Sequence, residues 1–401
     1  MLSDLDTLMS TRGIDAVIVP MHEAMHPSFR WLSRGAKVTR GYAIKRRDRD
    51  PLLVTYPMER DEAAATGLTV RLAAEFDCDR IFQGSMNHAA AYGEFFDLIL
   101  TDLGVTGPIA FFGNVPVQLY IGVVEALEAR GRHVHRSNGE DLIQLARKRK
   151  DEREIAAIAA VGARTEEVID EVRRVLREAS VEGGVLRHGG RTLKLGDLKE
   201  IVRFGITRRG MVEDHETILS QGRDAGVPHS RGDANAIVRS SVPIVLDIFP
   251  ADADSGYFFD ETRTFCVGEI PEELKRIHSD VFEAFQLARD RMRPGTRASE
   301  YQVLVSEFFE AKGYATNRKV PTTFEGYMHG LGHGVGLDVH EKPSFALTMS
   351  NQDMVEEGDI VTIEPGLYFP DREIGVRIED TFVVTADGVK TLCRSPYGLE
   401  P

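Results

Sequence analysis

Apolar positions up to about residue 147 switch period several times. Leu5, Leu8 and Met9 recur at three- and four-residue spacing, which predicts a short helix. The continuous run AVIVP (16–20) predicts a buried strand, and YAIKR (42–46) with LLVTYP (52–57) predicts a hairpin. Helical periodicity covers 88–103 and 116–131, and PIAFFG (108–113) between them reads as a strand. Such alternation predicts an α/β layer. The charge run RKRKDERE (147–154) then reads as a solvated linker or a helix start, so a domain boundary is expected near 148. Beyond it, Ile155, Ile158, Val161, Val168, Val172 and Leu176 mark one face of a long helix over about 155–179.

The second half alternates differently. ETILSQG (216–222), SVPIVLDIF (241–249) and GYFFDETRTFCVG (256–268) read as strands. The last two flank the turn-rich PADAD and predict a hairpin. Helices are expected over about 271–292 and 298–312. Then come HGLGHGVGLDVHE (329–341), VTIEPGLYF (361–369) and GVRIEDTFVVT (375–385), so strands dominate the final third. The expected architecture is an α/β domain over 1–147 followed by an α+β domain over 148–401.

Composition narrows the partners. The 49 basic and 63 acidic residues leave a formal charge of −14, which disfavours nucleic acid and anionic membrane. Cys78, Cys266 and Cys393 are odd in number and form no CxxC pair. That favours small buried thiols in a reducing compartment. The first twenty residues carry acids where a signal peptide would be basic. No apolar run reaches the roughly 18 residues a spanning helix needs. A cytoplasmic protein is the expectation.

Four acids, Asp247, Asp260, Glu364 and Glu379, sit in apolar strand contexts together with His333. A buried, unpaired carboxylate costs several kcal/mol, on the order of the penalty for a buried ion. One such acid alone reads as an edge residue or an ion-pair partner, Asp260 with Arg263 or Glu379 with Arg377. Four together call for a cation. Oxygen ligands with one imidazole suit manganese, cobalt, iron or zinc. His329 and His333 interleave with Gly330, Gly332, Gly334 and Gly336. So many glycines argue against a helix and for a backbone that approaches a site closely. The helical HExxH pattern is absent. His22, His26 and His88 are scattered and read as surface or core histidines.

The ordered set of these motifs resembles the pita-bread metallopeptidases, the family of methionine aminopeptidase, aminopeptidase P, prolidase and creatinase. The resemblance is strong over 150–401. Over 1–147 it is weaker and points to the N-terminal domain of the aminopeptidase P, prolidase and creatinase branch. It implies two divalent ions, manganese first, held by Asp247, Asp260, His333, Glu364 and Glu379. Asp260 and Glu379 match the bridging carboxylates. His229 in SQGRDAGVPHS matches the histidine that steadies the tetrahedral intermediate, and His340 the one that holds the substrate. Glu364 matches a ligand that also moves a proton, and His329 and Arg377 match supporting residues.

Two departures stand out. Asp247 and Asp260 lie 13 positions apart, two more than in the family pattern, and Phe249 stands where glycine is common. Because side chains alternate with period two, the longer turn leaves the strand faces unchanged. Its added acids, Asp252 and Asp254, read as solvated turn residues. The motif HGLGHGVGLDVHE is closest to prolidase and the bacterial Xaa-Pro peptidases, and the resemblance implies hydrolysis of an Xaa-Pro bond in a dipeptide or at a peptide N-terminus; a homodimer acting on small peptides is expected. The same scaffold also serves hydrolases or lyases of creatine-, ectoine- or sulfonium-type substrates, and catalytically dead binding proteins.

Overall fold

The computed structural model describes residues 2–22, 25–136 and 141–401. The chain divides into two compact units, Met1–Arg147 and Lys148–Pro401.

In the first unit, five strands lie side by side. Ala16–His22 lies between Arg40–Arg46 (antiparallel), the middle strand, and Ile109–Phe111 (parallel), an edge strand. Leu52–Thr55 and Thr69–Leu72 extend the sheet beyond Arg40–Arg46. Side-chain alternation makes two cores of it. Ile18, Ile44 and Val54 pack with the helices His88–Asp102 and Val117–Glu128 on one face. Val17, Val19, Ala43 and Leu53 pack with the helix Leu2–Arg12 on the other. A sheet covered on both faces explains the unbroken apolar runs. His26 caps the helix Pro27–Leu32, its Nδ1 accepting from Ser28 N at 3.1 Å, and His88 is exposed. The side chain of His22 lies outside the described residues.

The second unit begins with a correction. The run at 147–154 is a helix start, and it is solvated only in its second half: Asp151, Glu152 and Arg153 are exposed, whereas the lysines before them are not. Asp151 caps the helix Glu152–Glu178 and forms a capping box with Glu154. Lys148 and Lys150 are buried. Lys148 pairs with Asp359 at 3.2 Å, and Lys150 pairs with Glu341 at 2.8 Å. The charges were legible in sequence, and their remote partners were not.

Two cores follow. The helices Glu152–Glu178 and Leu195–Arg208 pack with the antiparallel strands Ile218–Gln221, Ile244–Ile248 and Glu261–Phe265. The helices Glu272–Arg291 and Ala298–Ala311 pack with Ile360–Ile363, Gly366–Phe369, Ile374–Arg377 and Asp380–Thr385. An isolated bridge, Thr262 to Glu379, joins the two strand groups.

The two long C-terminal runs each break in the middle. Ile360–Ile363 and Gly366–Phe369 belong to different sheets, as do Ile374–Arg377 and Asp380–Thr385. Glu364 and Glu379 occupy those breaks, and Asp260 stands just before its strand. Of the four acids read as strand residues, only Asp247 lies inside a strand. At a break the side chain leaves the ladder and turns toward the space between sheets.

The extended turn is a built element. Ala251–Asp252 pairs with Met211–Val212. Asp252 Oδ1 accepts from Ser255 N at 2.6 Å and Asp254 N at 3.1 Å, while Oδ2 pairs with Arg164 at 2.8 Å. Asp252 is therefore not a solvated turn acid. The register sets Asp247 opposite Thr262, so Asp260, two positions from Thr262, shares its face.

Candidate active site

A cavity of about 510 Å³ opens where the two strand groups meet. All nine residues singled out in the sequence line it: Asp247, Asp260, His333, Glu364, Glu379, His229, His340, His329 and Arg377. Asp260, His333 and Glu379 each bring a donor atom within 4.8 Å of the others. His333 Nε2 lies 3.3 Å from Glu364 Oε1 and 3.7 Å from Asp260 Oδ2.

The local backbone explains the approach. A Cβ on Gly332 would stand 2.2 Å from Thr362 O, and one on Gly334 would stand 2.0 Å from Lys342 O. At Gly336 it would meet the Glu341 carboxylate at 2.5 Å. Gly332 and Gly334, which face backbone, are thus required by space, whereas Gly336 faces the end of a side chain and Gly330 has open space around it.

His333 Nδ1 donates to Gly334 O at 3.1 Å, because a carbonyl only accepts. Burial, then the neighbouring His340, pulls its pKa down to about 3, so the ring is neutral. Its Nε2 lone pair consequently faces two carboxylates. Asp260 and Glu379 are pushed well above the usual carboxylate range, first by burial and then by neighbouring acids. Glu364 is pushed up to about 8, mainly by burial. One oxygen each of Asp247, Asp260 and Glu379 is buried and lacks a hydrogen-bond partner. Arg377 pairs with Asp247, and its guanidinium offsets part of the rise at Asp260, Glu364 and Glu379. Lone pairs facing lone pairs in a buried pocket fit a hard divalent cation with oxygen and nitrogen donors.

The ion pairs differ from the sequence-based expectation. Arg377 pairs with Asp247, not Glu379. Arg263 pairs with Glu261 and Asp380, not Asp260. Alternation decides the second case, since odd and even positions of a strand face opposite sides; Arg377 and Glu379 both line the cavity, and there the Asp247 carboxylate takes the guanidinium.

Two residues of the site were not foreseen. Tyr368 accepts from Arg377 Nη1 at 2.9 Å and donates to His329 Nε2 at 2.8 Å, while His329 Nδ1 donates to Gly330 O at 2.7 Å. Thr262 donates to Glu379 Oε2 at 2.6 Å and accepts from Arg377 Nε at 3.1 Å. Both read as ordinary strand residues in GLYF and ETRTF. Only their period-two placement beside Glu364, Arg377 and Asp260 hints at more. Burial, followed by Arg377, holds His329 neutral near a pKa of about 3.

His229 and His340 are exposed and border the cavity. The His340 ring meets the His333 ring edge-on at 4.3 Å. Phe249, at the position where glycine is common, lines the same cavity.

Comparison with known proteins gives the chain's family and fold. The profile of metallopeptidase family M24 matches residues 156–386. An Xaa-Pro dipeptidase of Pyrococcus furiosus is 33% identical over 184 residues, 46% of this chain and 49% of that one. The chain thus spans about half the length of such curated relatives. An uncharacterized peptidase of Methanocaldococcus jannaschii is 30% identical over 285 residues, 70% of this chain and 72% of that one. The solved structure of an Xaa-Pro dipeptidase from Bacillus anthracis superposes with a TM-score of 0.78 at 22% identity, over 99% of this chain and 98% of that one. The last likeness shows the fold, an α/β unit followed by a pita-bread unit. From the profile match and the relative covered over most of its length, the chain belongs to metallopeptidase family M24.

Proposed function

We propose that the protein is a dinuclear metallopeptidase that hydrolyses Xaa-Pro bonds, in dipeptides or at peptide N-termini. The observation that carries this reading is the cluster of unpartnered carboxylate oxygens around the neutral His333. Asp247, Asp260, His333, Glu364 and Glu379 would hold two divalent ions, manganese first, with cobalt, zinc or iron as alternatives. When bound, such ions supply Lewis acidity at the scissile carbonyl and a water of lowered pKa. The substrate class is taken from relatives named Xaa-Pro dipeptidase.

The chain's own groups divide the remaining work. Glu364 passes a proton toward the leaving nitrogen. His229, at the open side, stabilises the developing oxyanion. His340 orients the scissile amide. Arg377, Tyr368 and Thr262 fix the carboxylates and His329 through directional hydrogen bonds.

In this reading residues 1–147 are a creatinase-like N-terminal domain, and the protein is a cytoplasmic homodimer acting on small peptides, without nucleic-acid or membrane partners. Three buried, unpaired cysteines support a reducing compartment. Among the described residues, no helix is long and apolar enough to cross a membrane. Sedimentation velocity tests the dimer.

The deciding experiment is a hydrolysis panel on protein reconstituted with manganese, cobalt or zinc. The substrates are Xaa-Pro dipeptides, Xaa-Pro tripeptides, methionyl peptides and creatine. Release of proline or of the N-terminal residue from Xaa-Pro substrates supports the reading. No Xaa-Pro cleavage with any of the three metals overturns the substrate.

A further inference from the structure

A second cluster of acids lies behind the cavity. Glu261, Asp380 and Cys393 bring donor atoms within 4.8 Å of one another. It has the composition of a metal site, but a cation is already present. Arg263, 1% exposed, places Nη2 3.0 Å from Glu261 Oε1 and 2.8 Å from Asp380 Oδ1.

The rest of the guanidinium is spent on backbone. Nη1 donates to Thr262 O at 2.9 Å and to Glu379 O at 2.7 Å. Nη2 also donates to Ser395 O at 2.9 Å, and Nε to Pro396 O at 3.2 Å. The Tyr397 ring lies 4.7 Å from the guanidinium carbon, and its hydroxyl donates to Asp380 Oδ2 at 2.6 Å. Three separate stretches of chain therefore converge on one side chain: 260–263, 379–380 and 395–397.

A buried ion cluster is no economical route to stability, since apolar residues of the same volume often serve better. What this one supplies is geometry. Glu379 sits in the break between two sheets, where the ladder to Thr262 consists of two long bonds of 3.2 and 3.3 Å. Arg263 holds both carbonyls of that bridge from the face opposite the cavity. Asp260 and Thr262 face forward while Glu261 and Arg263 face back, and Glu379 and Asp380 alternate in the same way.

We infer that Arg263 is a positioning residue for the metal site, fixing the main chain of Glu379 and Thr262, and that the C-terminal segment 395–397 backs it. The inference rests on the proposed metal reading. It concerns the spacing of the Asp260 and Glu379 carboxylates, which ligands must hold to within about 0.5 Å. Lysine keeps the charge, but its one nitrogen cannot serve the two carbonyls on Nη1 together with the carboxylates and Ser395 O on Nη2.

The test compares full-length wild type with Arg263→Lys by Mn²⁺ titration calorimetry. The metal-free thermal midpoint and far-UV circular dichroism are measured alongside. The expected result is folded R263K whose Mn²⁺ affinity is lower by about tenfold or more, as when a supporting residue of a metal site is lost. Wild-type Mn²⁺ affinity in folded R263K, with only a lower thermal midpoint, would show a purely structural role and overturn the inference. If R263K does not fold, Tyr397→Phe keeps Arg263 and removes one bond of the backing. A severalfold loss of Mn²⁺ affinity then supports the inference, and unchanged affinity overturns it. Failure of wild type itself to bind Mn²⁺ sinks the metal reading, a separate outcome that removes the inference with it.

Discussion

Lys150 and Glu341, 191 positions apart, form a buried ion pair: Nζ lies 2.8 Å from Oε2, and each side chain is 1% exposed. Glu341 Oε1 accepts from Leu337 N at 2.8 Å and Asp338 N at 3.1 Å. One carboxylate thus closes the turn between His333 and His340, and the lysine neutralises it. Removing the lysine takes away the cation that faces this buried carboxylate. Lys150→Met should destabilise the protein by about 3–5 kcal/mol in urea unfolding. Lys150→Met with Glu341→Leu should recover part of that loss, yet leave the turn without its acceptor. If the single variant unfolds at the wild-type urea concentration, the pair does not have this role.

Glu364 Oε1 is 3.3 Å from His333 Nε2, inside the cavity. Glu364→Gln keeps the shape and removes both the charge and the proton-carrying oxygen. Turnover of an Xaa-Pro dipeptide should fall by at least about a hundredfold, the size of a general acid–base contribution. Circular dichroism should be unchanged. Activity near wild type would mean that Glu364 carries neither role.

The acids of the site oppose one another when no cation is present. Adding Mn²⁺ should raise the thermal midpoint and EDTA should reverse it, since a ligand that binds only the folded state stabilises it by about 2.7 kcal/mol per site at a hundred times Kd. Asp260→Asn should act with opposite signs on the two states. It relieves repulsion among buried carboxylates, so the metal-free midpoint rises. It removes a donor, so the Mn²⁺-induced rise shrinks or disappears. A metal-free midpoint below that of wild type would contradict the repulsion argument.

The five acid and histidine positions were legible because each is a polar residue in an apolar setting, a conflict that a single sequence displays. Their partners were not. Asp260 and Glu379 have arginines three and two positions away, and spacing alone makes those the natural ion pairs. Strand alternation sends Arg263 to the far face. Arg377 stays on the cavity side with Glu379 but pairs with Asp247, 130 positions away in sequence. The breaks at Glu364 and Glu379 were equally hidden, because an apolar run looks the same whether it stays in one sheet or crosses to another. Tyr368 escaped notice because its hydroxyl matters only once His329 and Arg377 flank it, and those contacts span 39 and 9 positions.

Away from the cavity, Glu310 offers a pH test. Its carboxylate accepts from Arg318 Nε at 3.0 Å and Thr316 Oγ1 at 2.6 Å, and lies 3.1 Å from Lys319. Chiefly through Arg318, its pKa is pulled down to about 2. An unfolded glutamate titrates near about 4.3. A depressed folded-state value means the contribution is full above about 4.3 and is lost as pH falls through about 2. Glu310→Gln should therefore melt below wild type at pH 6, and the gap should close as pH approaches about 2. Parallel melting curves across that window would count against the assignment.

Tyr368 joins Arg377 to His329 by one hydroxyl that accepts from the first and donates to the second. All proton positions along this chain follow from the two fixed ends: arginine only donates, and the Gly330 carbonyl only accepts. His329 must then carry its proton on Nδ1 and offer Nε2 to the tyrosine. Tyr368→Phe removes the link without changing the ring. Arg377 keeps Thr262 and Asp247, so the carboxylate pairing survives. His329 loses the hydroxyl that donates to its Nε2 and is held less firmly in the cavity wall. Leaving buried polar groups unmatched costs about 1–3 kcal/mol, which urea unfolding should read. Turnover should fall by about tenfold to a hundredfold, the usual range for a residue that orients others around a metal site. Mn²⁺ affinity should change less than in a variant of Asp260, because no donor is removed. Wild-type turnover together with wild-type stability would show that the hydroxyl aligns nothing that the reaction uses.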